Sequence, residues 1–287
     1  MTNQPIKFSQ RLAAFLKLIR ANNLAILFIT QVFVRLFLIG PRYIISGDRY
    51  FLLISFSSIC IAASGYIIND YYDVKIDIIN KPGRVVIDRI IRRRPAIFIH
   101  LTFVVLGTVL GLLVSWQIGL INCLAAFLLW LYSNSLKRLP LIGNTIVSFL
   151  TAFSIYILAI HFGDRMNSIL IFSIFSFFLS LIREIIKDME DLRGDSSFGC
   201  KTLPIIWGIR KTKFFLYILL FLLTILLFFL GYQLNKGVLL YFLVFVFIPL
   251  LWMFYKLIGA DTIKEFKFLS AFCKYVMISG VISMVFI

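Results

Sequence analysis

Long apolar runs separated by charge-rich connections give the chain its main pattern. Nine runs are long enough for a spanning helix of about 20 mostly apolar residues: 22–40, 50–68, 97–115, 119–135, 143–162, 167–185, 213–231, 237–256 and 268–287. Their even spread predicts one all-α domain over residues 1–287, a multi-pass membrane helical bundle of nine spans. The segment before the first run, Met1 to Arg20, is polar and amphipathic. It lacks the short apolar core and small-residue cleavage site of a signal peptide.

Charge alternates from one connection to the next. The N-terminal segment and the connections 69–96, 136–142, 186–213 and 256–267, with the adjoining helix ends, hold 23 of the 29 Lys and Arg. The opposite set holds only Arg42, Arg49, Arg165 and Lys236, while Arg35 and Lys274 fall inside predicted spans. Basic connections favour the cytoplasmic face. The expected placement is therefore the cell (inner) membrane, with the N-terminus and the long basic loops cytoplasmic. Nine crossings then put the C-terminus outside.

Composition supports this picture: 61% of residues are hydrophobic and only 15% charged, with a mean hydropathy of +0.98. So much apolar surface exceeds what one soluble core hides. The net charge of +16 would suggest nucleic acid in a soluble protein. Here the basic residues sit between membrane runs without a stripe of exposed aromatics, so no nucleic-acid partner is expected. Cys60, Cys123, Cys200 and Cys273 form no CxxC pairs and read as small buried apolar residues. His100 and His161 are isolated. There is no nucleophile elbow, P-loop or dinucleotide fingerprint.

The acidic residues carry the chemistry. Of 13 Asp and Glu, nine lie in 70–88 or 184–195. The second run leads into Asn69-Asp70-Tyr71-Tyr72-Asp73-Val74-Lys75-Ile76-Asp77, and the sixth into Asp188-Met189-Glu190-Asp191-Leu192-Arg193-Gly194-Asp195. Both contain DxxDxxxD. Positions i, i+3 and i+7 fall within about 60° of one another on a helix, so each motif lines up three carboxylates on one face at a span's end. Water could solvate such exposed acids. Two copies, in corresponding positions at the ends of two spans, instead point to a divalent cation that offsets the repulsion. Magnesium takes oxygen ligands, keeps some waters and shares substrate phosphates. It would neutralise a diphosphate leaving group, and an allylic group could then ionise within apolar walls that exclude water.

Basic residues cluster nearby: Lys75, Lys81 and Arg84 after the first motif, Arg183 and Lys187 at the second, and Lys137 and Arg138 after the fourth span. For each, a purely topogenic role competes with diphosphate contact. Arg183 stands out because an ionisable group entering from within a span usually faces a cavity or a partner. Asn22 and Asn23 open the first span beside Arg20, where helix capping is the simpler reading. A membrane cation transporter would also use carboxylates, although transporters tend to place ion ligands near the bilayer midplane.

With these residues in view, the chain resembles the UbiA superfamily of intramembrane prenyltransferases. Asn69 to Asp77 matches that family's NDxxDxxxD and Asp188 to Asp195 its second DxxDxxxD. The stretch from Tyr132 to Arg138, the Pro140 to Asn144 segment, and Arg20 with Asn23 look like further family patterns. The resemblance implies nine helices around a central cavity and transfer of a prenyl chain from its diphosphate. It implies magnesium held by Asn69, Asp70, Asp73, Asp77, Asp188, Asp191 and Asp195, the six aspartates being the catalytic set. Arg84, Lys137, Arg183 and Lys187 become candidates for the diphosphate, with Asn23 and Tyr132 lining the substrate site. Implied partners are a prenyl diphosphate, a lipid or aromatic acceptor, and membrane lipid. Ile78-Ile79-Asn80-Lys81-Pro82-Gly83-Arg84 is most similar to the digeranylgeranylglyceryl phosphate synthase branch, whose acceptor is a geranylgeranylglycerol phosphate. Val85-Val86 replaces that branch's usual Arg-Pro continuation, and prenylation of an aromatic quinone precursor stays open.

Overall fold

A computed structural model describes residues 8–40, 48–163, 166–234 and 236–286. Among them, nine helices are long and apolar enough to cross a membrane: 21–39, 49–80, 93–112, 116–134, 142–162, 166–190, 203–228, 239–259 and 263–286. All nine expected runs fall on these helices. Among the described residues there is no strand, only an isolated bridge between Ile87 and Ile91.

The chain packs as two compact units, one of residues 1–28 and 45–136, the other of residues 29–44 and 137–287. In the first, a short helix α1 (Phe8–Leu18) precedes α2 (Ala21–Phe33), and α3 (Arg49–Asn80) packs on α4 (Arg93–Leu112) and α5 (Trp116–Asn134). Lipid tails give little hydrophobic drive between helices, so close approach depends on small residues and polar cross-links. At Gly65 on α3, a Cβ would come within 2.8 Å of the Leu129 side chain. Asn122 on α5 donates from Nδ2 to the Gly107 carbonyl at 3.0 Å, and the buried His100 ring meets the Ser64 carbonyl at 3.0 Å. The polar linker after α3 is anchored from below. Val86 and Ile87 are buried with Ala14, Leu18, Val74 and Ala96.

In the second unit, α7 (Met166–Glu190) lies against α6 (Ile142–Phe162), α9 (Leu203–Leu234) and α12 (Ile263–Ile282). Its buried side chains, including Leu179, Ile182, Ile185, Ile186 and Met189, form a core with Leu216, Leu220, Leu250, Met253 and Cys273. Gly208 adopts φ +76°, ψ 164° and breaks α9 near its start. That conformation suits glycine because it has no Cβ. Between α10 (Lys236–Phe242) and α11 (Ile248–Gly259) runs a π-helical turn, Leu243–Phe247. Its cause is Pro249, which cannot donate to the carbonyl of residue i−4. That carbonyl belongs to Phe245, and Ser279 on α12 donates its hydroxyl there instead, at 2.8 Å. α12 starts on a capping box formed by Thr262 and Glu265.

Candidate active site

α3 does not stop where its apolar run does. It continues unbroken to Asn80, because Val74 and Ile76, one on each side of the carboxylates, are both buried along the motif stretch. The first motif therefore rides on continuous helix. Asp70 is buried, while Asn69, Asp73 and Asp77 are half-buried on the same rod. The three carboxylates are near enough for the charges of Asp73 and Asp70 to act on Asp77, with Lys81 and Arg20 in opposition. Arg20 Nη2 donates to Asp70 Oδ1 at 2.9 Å, and its guanidinium lies over the Tyr66 ring at 4.7 Å. Tyr66 is one helical turn before Asp70, so a single arginine spans both residues. Asn23 donates weakly to the Tyr66 hydroxyl at 3.4 Å. Arg20 itself sits at φ +52° between α1 and α2. A left-handed non-glycine residue costs about 1–2 kcal/mol, and contacts at both Asp70 and Tyr66 hold it there.

Beyond α3, Lys81 N–H bonds the Asp77 carbonyl at 2.8 Å and Arg84 N–H the Lys81 carbonyl at 2.8 Å. These turns bring Arg84, half-buried, back toward the helix end. Tyr132, on α5 in this same unit, is half-buried.

The second motif is built differently. α7 ends at Glu190, Asp191 has φ −93°, ψ 5°, and a short helix α8 (Leu192–Ser197) follows. The expected uninterrupted helix is thus bent at the middle aspartate. The physical reason lies in the sequence that follows. Leu192 to Ser197 buries only Gly194, and Asp, Gly and Ser are weak helix formers. The bend is shallow: Asp191 N–H still bonds the Lys187 carbonyl at 2.9 Å, and Asp195 N–H the Asp191 carbonyl at 3.2 Å. Asp195 remains near enough for its charge to act on Asp188.

Asp188 accepts from Asn144 Nδ2 at 2.8 Å. Glu184, buried one turn before Asp188, accepts from Arg183 and, at 3.2 Å, from Lys187 Nζ. Both basic candidates of this helix end are therefore engaged by one carboxylate. Glu190 points the other way and accepts from the Ser270 hydroxyl of α12 at 3.2 Å. Lys137 lies in a one-turn 3₁₀ helix, Leu136–Arg138, where the Arg138 carbonyl accepts from Lys201 N–H at 2.8 Å.

Tyr66, Asn144 and Glu184 were not singled out by sequence. The faint signals were spacing ones: Tyr66 and Glu184 each lie four residues before a motif aspartate. Among the described residues, no three His, Cys, Asp or Glu side chains converge tightly enough to hold a metal ion by themselves. What each motif supplies is a set of hard oxygen donors, which suits a cation that keeps waters and shares phosphate ligands better than one in an all-protein cage.

Fold and carboxylates together define an all-α, multi-pass membrane protein with acidic clusters at the ends of two spans. Residues 27–275 match the UbiA prenyltransferase family, and the chain belongs to that family and is a prenyltransferase. It is 37% identical to the digeranylgeranylglyceryl phosphate synthase of Saccharolobus solfataricus over 228 residues, 78% of this chain and 79% of that protein. The matched stretch in the Methanosphaera stadtmanae synthase is shorter, at 36% identity over 58% of this chain and 62% of that protein. A solved structure giving structural and mechanistic insights into digeranylgeranylglyceryl phosphate synthase in membranes superposes with a TM-score of 0.73. It is 27% identical and is matched over 97% of this chain and 100% of its own.

Proposed function

We propose that this chain, working as a single domain over residues 1–287, transfers a geranylgeranyl group from its diphosphate to a geranylgeranylglycerol phosphate, with magnesium as cofactor. The donors that would hold the metal are Asp70, Asp73, Asp77, Asp188, Asp191 and Asp195, assisted by Asn69. When bound, magnesium would offset the diphosphate's negative charge and so ease its departure from the allylic carbon. Arg84, Lys137, Arg183 and Lys187 bind and orient the phosphates. Arg20 holds Asp70, and Asn144 holds Asp188, so that each carboxylate is presented in one orientation. Asn23 and Tyr132 border the substrate, and surrounding apolar side chains keep water from the allylic cation. The acceptor attacks through its free hydroxyl, which loses its proton as the new C–O bond forms. The protein resides in the cell membrane, with N-terminus and motif-bearing ends cytoplasmic.

The observation that carries this reading is the duplication of DxxDxxxD at the ends of two spans. Its acceptor half rests on the 37% identity to a digeranylgeranylglyceryl phosphate synthase over most of the chain. Purified protein in nanodiscs, given labelled geranylgeranyl diphosphate, magnesium and the glycerol-phosphate acceptor, should yield the doubly prenylated ether lipid. Removing magnesium should abolish the product. Asp73→Ala and Asp191→Ala should each lower transfer on the order of 10²–10³-fold, as loss of a main electrostatic group does. Full activity in either variant would overturn the site assignment. Transfer to an aromatic acceptor alone would overturn the acceptor. Magnesium flux across liposomes without any prenyl substrate would favour a transporter.

A further inference from the structure

Helix α1 carries one wide apolar arc and has protein against only one side of it. Ala14 and Leu18 are buried in the first unit beside Val86 and Ile87, and Phe15 stacks on Phe103 of α4 with ring centroids 6.3 Å apart. On the other side Phe8, Leu12 and Leu16 are 81%, 49% and 45% exposed. Spaced four apart, they form one stripe along the helix. An apolar arc wider than the protein surface that covers it needs a second cover.

Two observations identify that cover. The first is continuity: α1 ends at Leu18 and the membrane-spanning helix begins at Ala21, so the stripe lies within a few residues of a bilayer entry point. The second is charge. Arg11 and Lys17 flank the stripe, and the adjoining segment 81–94 carries Lys81, Arg84, Arg89 and Arg92–Arg94 against the single acid Asp88. Asp88 is itself bonded to Arg93 at 2.8 Å. An apolar stripe bordered by an excess of basic over acidic residues matches a membrane surface with anionic headgroups.

We propose that α1 is a membrane-surface helix whose Phe8–Leu12–Leu16 stripe inserts into an anionic lipid leaflet while its Ala14–Leu18 side clamps the 81–92 linker. The clamp has a polar part as well: Lys17 Nζ donates to the Gly83 carbonyl at 2.5 Å. Lipid contact at α1 thereby steadies the linker that bears Arg84.

The test uses the full chain in nanodiscs of phosphatidylcholine with or without phosphatidylglycerol, doped with lipids brominated high on the acyl chain. A tryptophan at Leu12→Trp should be quenched at least about twofold more than one at Gln10→Trp, which lies about 160° around the helix. Each is read as the difference from the parent protein. Phosphatidylglycerol should deepen the difference, and added salt should reduce it. The variant Phe8→Ser/Leu12→Ser/Leu16→Ser should keep its helical content yet be cut faster by trypsin after Arg89. Equal quenching at the two positions overturns the proposal. So does quenching at Leu12→Trp that disappears when discs hold a single copy, which would assign the stripe to a second copy of the chain. Trypsin sensitivity unchanged in the triple variant overturns the clamp.

Discussion

The two acidic motifs share one spacing but not one construction. The first stands on uninterrupted helix that buries Val74 and Ile76 on the two flanks of its carboxylates, and its inner carboxylate is held by a cation, Arg20. The second is bent at Asp191, and its inner carboxylate is held by a neutral amide, Asn144. A spacing in sequence therefore fixes which groups are offered, while the residues around it fix how stiffly and against what charge. A guanidinium on Asp70 offsets some of the motif's repulsion and competes with a metal for the same oxygens. An amide on Asp188 orients the carboxylate without setting a cation against it.

That difference predicts effects of opposite sign, and they should be the largest seen outside the aspartates themselves. Arg20→Met and Asn144→Leu should each lower prenyl-transfer kcat/KM by roughly 10–100-fold, as loss of a group that orients a ligand does. Their magnesium dependences should diverge. Removing the cation leaves Asp70 more negative, so half-saturating magnesium should fall severalfold in Arg20→Met. Removing the amide frees Asp188 to rotate, so half-saturating magnesium should rise in Asn144→Leu. Magnesium titrations of steady-state rate decide this. A shift in the same direction for both variants would erase the distinction between the motifs.

A second comparison concerns how the two units close on their glycines. On α12 a Cβ at Gly280 would run into the Phe175 ring, whereas at Gly65 it would press on the branched end of Leu129. A ring wedged in a core has fewer escapes than a leucine with free rotamers. Overpacking typically costs about 1–3 kcal/mol, so Gly280→Ala should sit near the upper end of that range and Gly65→Ala near the lower. Thermal unfolding in detergent reads both, and the reverse order would show that the first unit is the tighter one.

Hydropathy read the nine spans well because a bilayer demands a continuous apolar length, and that demand is local in sequence. It did not show α3 continuing to Asn80 or α7 to Glu190. There the helix carries its charges into a polar setting while still burying Val74, Ile76 or Met189. The motif aspartates were legible by spacing alone. Their holders were not: Arg20 lies 50 residues from Asp70 and Asn144 44 residues from Asp188, so only the folded chain pairs them. The same holds for the turn at Leu243–Phe247, where Pro249 is visible but Ser279, which satisfies the orphaned Phe245 carbonyl, lies a whole helix away.

The smallest expected effect concerns the free end of the second motif. α3 runs three residues past Asp77 before it ends, so its motif is steadied from within the helix. α7 ends two residues after Asp188, and what holds that end from behind is the Glu190 carboxylate accepting from Ser270 on α12. Ser270→Ala removes that donor and leaves a buried carboxylate oxygen to find another, at a cost of about 1 kcal/mol or somewhat more. The midpoint of thermal unfolding should drop by a few degrees. Amide hydrogen exchange over 188–195 should quicken, since local opening tracks local stability. Exchange over 70–77 should stay as it was, because nothing in the first motif leans on Ser270. If both stretches quickened together, the two motifs would open as one cooperative unit and their separate anchoring would count for little. If only 188–195 responded, the bend at Asp191 would stand as the softer of the two acidic helix ends, held in place by a serine hydroxyl rather than by its own helix.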